Sequence, residues 1–423
     1  MTRTGPIEEP LEEPLEERLD ESVSGRSSTQ LLFNSVFAPF FWGLSLATVG
    51  IWVHSMVAAI VAFQVSGSAL VVGAVTVAQW LPQFLIAPLS GSLADRGDRR
   101  RQAFTGRLVC VAGSAGIAVW VLLVGADDPS TLPVLLLSAF TVGFGFAWGG
   151  PAMTSMVPAL VRPEELPQAV SLYNIPGILA RALGPILGAV LAVWVGSGEA
   201  FAFAAVSHLV FALALLRTPR DQRPAAEAGT DYSVRSGLRY VRGNRPVLVL
   251  LLSTAAISVA SDPAMTLAPL LAAELGAGAG FAGVLSTCFG AGAMFGFVIL
   301  APLRKMLGPA RMRQAGGILL AGGVLSLAVT GTPWLACAVL VLAGLGLTMA
   351  QTSYMTELYR RVPDAFRGRI MALWSMSLLG SRSIAGALNG VLAEYLSVAA
   401  ALAAGSAALL YLVWLHSRLD QRS

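Results

Sequence analysis

GSLADRGDRRR, residues 91–101, joins an apolar segment to a dense cluster of charge. The apolar segment runs from about residue 70, and the last seven residues of the stretch hold four arginines and two aspartates. A bilayer core about 30 Å thick needs about 20 apolar residues of helix to cross it. Lys and Arg mark the loops that stay in the cytoplasm. The stretch therefore predicts a membrane-spanning helix that ends at a cytoplasmic loop.

The rest of the chain repeats this alternation of apolar segments and short polar loops. Of its 423 residues, 55% are hydrophobic and only 12% are charged, with a mean hydropathy of +0.70. That composition is typical of a protein surrounded by lipid rather than by water. We predict an all-α membrane protein of twelve spans: 37–64, 70–94, 105–125, 132–158, 166–195, 199–216, 246–272, 280–303, 315–331, 334–356, 370–395 and 398–416.

Positive charge is confined to alternate loops. Of the 28 Lys and Arg residues, 26 lie in the tails or in loops that share one side, and the intervening loops contain none. This bias predicts that both termini are cytoplasmic, in the inner membrane of a bacterium. It also explains the basic pI of about 9.2, so no nucleic-acid partner is expected. The other two cations, Arg181 and Arg382, are predicted within the membrane.

Two similar stretches indicate an internal duplication. ILARALGPILGAVLA (178–192) and LLGSRSIAGALNGVLA (378–393) each place an arginine shortly before two spaced glycines. Two pseudo-symmetric bundles of six helices are expected, unless these are merely two unrelated glycine-rich packing helices. The predicted organisation is a disordered acidic cytoplasmic tail (1–30), an N-terminal bundle (31–217), a cytoplasmic loop (218–245), a C-terminal bundle (246–417) and a short tail (418–423).

The charged loop at 91–101 resembles the signature loop of the major facilitator superfamily. Stretches at 149–174 and 360–376 narrow the resemblance to the branch that contains the bacterial enterobactin exporter and related secretion proteins. The resemblance implies the major facilitator fold and efflux of a siderophore or other small metabolite, driven by the proton gradient. It implies a cytoplasmic gate formed by Gly91, Asp95, Arg96, Arg99 and Arg100.

Elementary chemistry supports such a gate. Gly91 permits close approach of helices, Asp95 can accept hydrogen bonds from a helix N-terminus, and the arginines can pair with carboxylates. The alternative is that the loop is only a cationic anchor at the membrane surface.

Ionisable residues inside a membrane are costly and are therefore functional candidates. Asp262, followed by a helix-breaking proline, is expected to exchange a proton or an ion pair with Arg382 or Arg181; a static structural pair is the alternative. On the fifth span, a packing face is predicted that partly matches an antiporter signature and consists of Gly177, Gly184, Pro185 and Gly188.

Four uncharged polar or aromatic residues are candidates for a substrate cavity: His54, Gln79, Gln351 and Tyr354. Their alternative role is packing inside a bundle. Three scattered cysteines and three histidines lack metal-ligand spacing, so no metal is expected.

The function that these patterns favour is export of a small molecule by alternating access with proton antiport, by a monomer that needs no cofactor beyond the proton gradient. A nutrient importer of the same fold is the first rival. A membrane enzyme or sensor is the second, although the sequence shows no catalytic constellation of His, Cys or Ser.

Overall fold

The computed structural model describes residues 26–219, 234–278 and 280–420. Within these ranges the regular structure is helical and contains no strand. Eleven long helices are described here: α1 Phe37–Ser66, α2 Ala69–Arg96, α3 Arg99–Val124, α4 Thr131–Met156, α5 Leu166–Trp194, α6 Ser197–Leu215, α7 Arg245–Ser261, α8 Phe281–Ser326, α9 Pro333–Arg361, α10 Ser381–Tyr395 and α11 Val398–Asp420. Short helices cover Ser28–Leu32, Val234–Gly243, Pro263–Thr266, Ala268–Glu274 and Asp364–Ser375, and a π-helical turn covers Met376–Gly380.

The all-α class predicted from composition is confirmed. In the described ranges, ten helices are long and apolar enough to cross a bilayer, so the chain is a multi-pass membrane protein. The exact number of twelve stays a prediction, because two regions depart from regular helices. Helix α8 runs through a kink at Gly308, whose φ is 73°, and the π-helical turn separates α10 from Asp364–Ser375.

Local sequence fixes many of the helix ends. The side chains of Ser68, Asp98 and Asn244 accept hydrogen bonds from main-chain N–H groups in the first turns of α2, α3 and α7. These bonds satisfy donors that have no partner within the helix. Gly67 ends α1 with a φ of 62°, a left-handed conformation that favours glycine. Local sequence therefore determines where these helices begin and end.

Each half of the molecule packs around its own helices. In the N-terminal half α1 packs on α5 and α6, and α3 on α4 and α6; in the C-terminal half α8 packs on α9 and α11. Both halves enclose an arginine against an aromatic ring. The guanidinium carbon of Arg107 lies 6.0 Å from the ring centre of Phe146, and that of Arg313 lies 5.8 Å from Tyr354.

These two arginines correct the charge assignment made from sequence. Arg107 and Arg313 were expected in cytoplasmic loops, yet they are only 2% and 4% exposed. Counting cations by loop assigned both residues wrongly. Each lies within a helix, a few residues beyond the basic cluster with which it was counted. Arg181 and Arg382 are therefore not the only arginines that the protein buries.

The two halves meet through α2 with α10 and through α5 with α8. A Cβ atom added at Gly73 would lie 2.4 Å from the carbonyl oxygen of Gly386 and 2.9 Å from the Cα of Gly390. At Gly290 an added Cβ would lie 2.5 Å from the carbonyl oxygen of Arg181. Only glycine permits main chains to approach this closely.

The close contacts lie toward one end of the molecule. Some of the described glycines touch the opposite half. Their contacts extend from the middle of α2 and α5 to the end of the molecule near Gly67 and Gly196. At that end the Ser68 hydroxyl donates to Glu394 Oε2 across 2.9 Å, and the Leu70 N–H donates to the same atom. The halves are thus joined at the end opposite the Asp98–Arg101 turn.

The predicted boundary of the disordered tail needs correction. Residues 1–25 lie outside the described residues, but Ser28–Leu32 is helical and Leu31 is fully buried. Arg26 Nε and Nη2 donate to the Glu165 carboxylate over 2.6 and 2.8 Å. Because Glu165 is itself buried, this pairing holds the start of the described chain against the beginning of α5.

We predict that Gly73→Val separates the halves at their joined end, because the carbonyl of Gly386 cannot accommodate a side chain. Carbon atoms need about 3.5 Å or more, so the main chains must move apart by about 1 Å or more. Spin labels at Gln64→Cys and Leu396→Cys, both exposed positions, measure this distance in a background without native cysteines.

Gly116→Val is the matched control, since nothing lies within 4 Å of a Cβ at Gly116. The control should leave the label distance unchanged. An unchanged distance in Gly73→Val as well would contradict the assignment of Gly73 to the contact between the halves.

Candidate functional site

Asp262 lies at a break in the membrane-spanning part of the C-terminal half. Helix α7 ends at Ser261, and Pro263 begins a further single turn. Proline has no N–H group, so it leaves a carbonyl of the preceding turn without its usual partner. The side chain of Asp262 is fully buried at this break. The sequence thus places a carboxylate where the helix is already irregular.

Arg382 is the cation nearest to this carboxylate. Its Nη2 lies 3.6 Å from Asp262 Oδ1, an ion-pair distance without a hydrogen bond. Asn389, two turns further along α10, donates from Nδ2 to Asp262 Oδ2 over 3.1 Å. The sequence hypothesis paired Asp262 with Arg382 or Arg181, and the structure brings it next to Arg382.

A π-helical turn positions Arg382. Met376–Gly380 precedes Ser381 and Arg382, and the Ser258 hydroxyl of α7 donates to the Leu378 carbonyl in this turn over 2.6 Å. A π-helical turn shifts the register of the side chains that follow it, and such turns recur at functional sites. The hydrogen bond from α7 fixes the irregular turn beside the segment that carries Asp262.

The N-terminal half contributes two indole rings to the same place. The guanidinium carbon of Arg382 lies 4.6 Å from the ring centre of Trp80 on α2 and 5.2 Å from that of Trp52 on α1. A guanidinium over an indole face is attracted by the negative charge of the ring face. Arg382 is therefore held by a carboxylate of its own half and by aromatic rings of the other.

Arg181 joins the cluster from α5. Its guanidinium carbon lies 5.6 Å from the ring centre of Trp52, so one indole ring contacts both intramembrane arginines. Thr76 and Thr266 add a hydroxyl contact of 3.2 Å between α2 and the turn after Asp262. Segments from both halves thus converge on one buried polar centre, which we call the central cluster: Trp52, Trp80, Arg181, Asp262, Arg382 and Asn389.

The central cluster contains polar atoms without hydrogen-bond partners. Asp262 Oδ1, Arg382 Nε and Asn389 Oδ1 are all buried and unpartnered. Buried polar groups normally find partners, because leaving one unpaired costs about 1–3 kcal/mol. The arrangement can therefore take up a proton, a water molecule or a polar group of a ligand without breaking a good hydrogen bond.

The residues predicted for the cytoplasmic gate are only partly described. The side chains of Asp95 and Arg96 lie outside the described residues. Arg99 donates to the Ala94 and Ser155 carbonyls, at 3.0 and 3.4 Å. Such bonds satisfy carbonyls at helix C-termini, where positive charge is favourable.

Two further residues of the predicted gate have described surroundings. Arg100 donates to the carbonyl of Leu216 rather than to a carboxylate. Gly91 makes no close helix contact, because nothing lies within 4 Å of a Cβ at this position. The pairing of these arginines with carboxylates, which the residue types suggest, stays a prediction.

The glycines of α5 divide into two groups. A Cβ at Gly184 would lie 2.4 Å from Trp52 Cβ, and one at Gly188 would lie 3.1 Å from the Val53 carbonyl, so both pack on α1. The carbonyl of Pro185 faces α8 at Gly283. Gly177 has open space at the Cβ position, so its inclusion in the packing face was wrong.

Three of the four cavity candidates are enclosed within a half. His54 is fully buried, with Nδ1 3.2 Å from Ser114 Oγ. Gln79 is 3% exposed and its amide hydrogen-bonds Ser55, while Tyr354 is 1% exposed beside Arg313. The packing alternative therefore describes these three residues, and the partly exposed Gln351 alone retains the cavity interpretation.

Several members of the central cluster carried no recognisable sequence signal. Trp52 lies in an apolar helix and matches no motif, and Asn389 lies in the repeated glycine-rich stretch 378–393 without being one of its matching residues. Trp80 is one of nine tryptophans, a residue type that more commonly anchors helices at the lipid interface. The spacing of Asn389 seven residues after Arg382, two helical turns, is a pattern that places both on one face. In the described ranges no group of three His, Cys, Asp or Glu side chains is placed to hold a metal ion.

Apolar helices, two halves joined at one end and an ion pair of one half packed against indole rings of the other are typical of a membrane transporter of the major facilitator fold. The chain belongs to the transmembrane secretion effector family, whose sequence model matches residues 27–422. The enterobactin exporter EntS of Escherichia coli O1:K1 is 28% identical over 322 residues, which cover 75% of this chain and 76% of the relative.

Solved structures show the same fold. A crystal structure of a mutant form of the peptide transporter POT superposes with a TM-score of 0.72 at 15% identity and covers 96% of this chain and 98% of its own. A bacterial homologue of the iron transporter ferroportin in the inward-facing state gives a TM-score of 0.70 at 17% identity, covering 93% and 99%.

We predict that Arg382→Gln lowers the free energy of unfolding by about 3–5 kcal/mol, because it leaves the Asp262 carboxylate buried without a cation. Asp262→Asn combined with Arg382→Gln should recover most of the loss, since no charge is then unpaired. Unfolding of the purified protein by detergent titration measures both. Arg239→Gln, at an exposed arginine, is the matched control, and equal destabilisation of single and double variants would contradict the pairing.

Proposed function

We propose that this protein is a secondary transporter that exports a small molecule across a bacterial inner membrane in exchange for protons. The proposal includes cytoplasmic termini, a monomeric transporter and no cofactor beyond the proton gradient. The relative named an enterobactin exporter supports the direction of transport. The fold supports alternating access, in which two bundles rock around a site between them.

One observation carries the proposal: Arg382 contacts both halves at once. It lies 3.6 Å from Asp262 of its own half and 4.6 Å from the Trp80 ring of the other half. A transporter of this kind needs a group whose charge state changes the attraction between its bundles. A proton on Asp262 cancels the charge that holds Arg382 to its own half.

Protonation would therefore bias the conformational equilibrium. With Asp262 charged, Arg382 is shared between the carboxylate and the indole rings; with Asp262 neutral, only the rings and solvent compete for it. A ligand shifts a conformational equilibrium only through a difference in affinity between the states. Arg382 makes different contacts when Asp262 is charged and when it is neutral. The two conformations therefore differ in their affinity for the proton.

The joined end of the molecule gives this scheme a direction. The glycine contacts at Gly73 and Gly290 unite the halves at the end near Gly67 and Gly196. If the basic loops face the cytoplasm, as their charge predicts, this conformation is closed to the outside. Exchange then requires the contacts at Gly73 and Gly290 to open when the substrate leaves.

Accumulation in intact cells tests the proposal. We expect bacteria that lack their own exporters to accumulate less of a transported siderophore, dye or antibiotic when they express this protein. A protonophore should abolish the difference, because the gradient drives exchange. Asp262→Asn should abolish it too, because an amide cannot bind and release the proton.

Asp127→Asn is the matched control, since Asp127 is an exposed aspartate in a loop between spans. It should export like the wild type at equal abundance in the membrane. Higher accumulation with the wild type would indicate the rival, a nutrient importer. Full activity of Asp262→Asn would leave Asp262 with a structural role only.

A further inference from the structure

The central cluster has an unequal number of charges. Asp262 is its one carboxylate, whereas Arg181 and Arg382 supply two guanidinium groups. Asp262 lies beside Arg382, whereas Arg181 shares the Trp52 ring with Arg382, a group of like charge. One positive charge is therefore left over in the cluster when Asp262 is ionised.

Arg181 is the group that carries this excess. Across the described ranges its guanidinium makes no hydrogen bond and no ion pair, and it contacts the Trp52 ring. A charge in the apolar interior is stable only when it is paired or hydrated. Two guanidinium groups over the same ring compete for that ring, since a ring face cannot neutralise a full charge.

The surroundings of Arg181 also specify shape. Arg181 is partly exposed, so it can be reached in the present conformation, whereas Asp262 is enclosed. The rings of Trp52 and Trp80 are 6.5 Å apart between centroids and are tilted by 49°. Indole faces favour flat aromatic groups, and guanidinium groups form planar pairs of hydrogen bonds with carboxylates.

We infer that Arg181, with Trp52, binds the anionic group of an aromatic organic anion, and that this anion is the class of molecule transported. This inference rests on the proposed function only in naming the bound molecule as the substrate. The missing counter-charge of Arg181 is then supplied by the substrate. Cationic molecules are disfavoured, because the cluster repels them.

Binding of three molecules of one shape tests the charge rule. The probes are 1-naphthoate, neutral 1-naphthamide and 1-naphthylmethylammonium, added to the purified full chain in detergent. We expect naphthoate to bind more tightly than the amide, and the ammonium to bind least. Arg181→Gln should weaken naphthoate by about ten- to hundredfold, the usual effect of losing a charge-assisted hydrogen bond.

Matched variants separate recognition from folding. Arg181→Lys should keep most of the preference for naphthoate over naphthamide, because it keeps the charge, and Arg239→Gln should bind like the wild type. Arg181→Gln should still bind naphthamide like the wild type, which shows that the site is folded. If Arg181→Gln loses naphthamide binding as well, the test rests on Arg181→Lys. Its ratio of naphthoate to naphthamide affinity then shows whether the charge at this position is required.

Several outcomes overturn the inference. One is naphthoate binding that is no tighter than binding of the other two probes, which includes no binding of any. Another is unchanged naphthoate affinity in Arg181→Gln. A third is that the probes bind equally, while sodium chloride stabilises the protein more than sodium gluconate and only when Arg181 is present. That result would assign the site to an inorganic anion. Because binding in detergent depends on neither direction nor proton coupling, failure of the proposed export leaves this result intact.

Discussion

The cost of placing charge in hydrocarbon governs the centre of this protein. Asp262 and Arg382 can stay there only because each has partners at hand: a cation at 3.6 Å, an amide at 3.1 Å and two indole faces. Those partners come from three helices, α1, α2 and α10, and from both halves. Helix α7 breaks at Pro263 and a π-helical turn precedes α10, and both irregularities lie directly beside the charged pair.

Close approach of main chains is the second constraint. Gly73 and Gly290 let the halves touch without side chains between them, so the contact is short-range and does not require a large buried apolar surface. Contacts of this kind are easily made and broken as rigid bodies rock. The hydrogen bond between Ser68 and Glu394 joins the halves at the same end. A bundle with ordinary interdigitated side chains at this interface would resist such motion.

Four arginines inside the described helices fall into two kinds. Arg107 and Arg313 lie within their own halves, each against an aromatic ring of the neighbouring helix. Arg181 and Arg382 lie between the halves and share the ring of Trp52. The first pair moves with its bundle, whereas the second feels any change in the distance between bundles. Only the second pair is therefore placed to link charge to conformation.

The sequence by itself determined the membrane class, most of the long apolar helices and many of their ends. Hydropathy reports the transfer of a whole helix into lipid, and caps such as Ser68 and Asp98 act within one turn, so both are readable locally. Tertiary structure decided which faces meet. It paired Asp262 with Arg382, brought Trp52 beside both arginines, enclosed His54 and Tyr354, and left Gly91 and Gly177 without close neighbours. Hydropathy averages over the circumference of a helix and cannot say which neighbour each side chain contacts, because that depends on the packing of segments hundreds of residues apart.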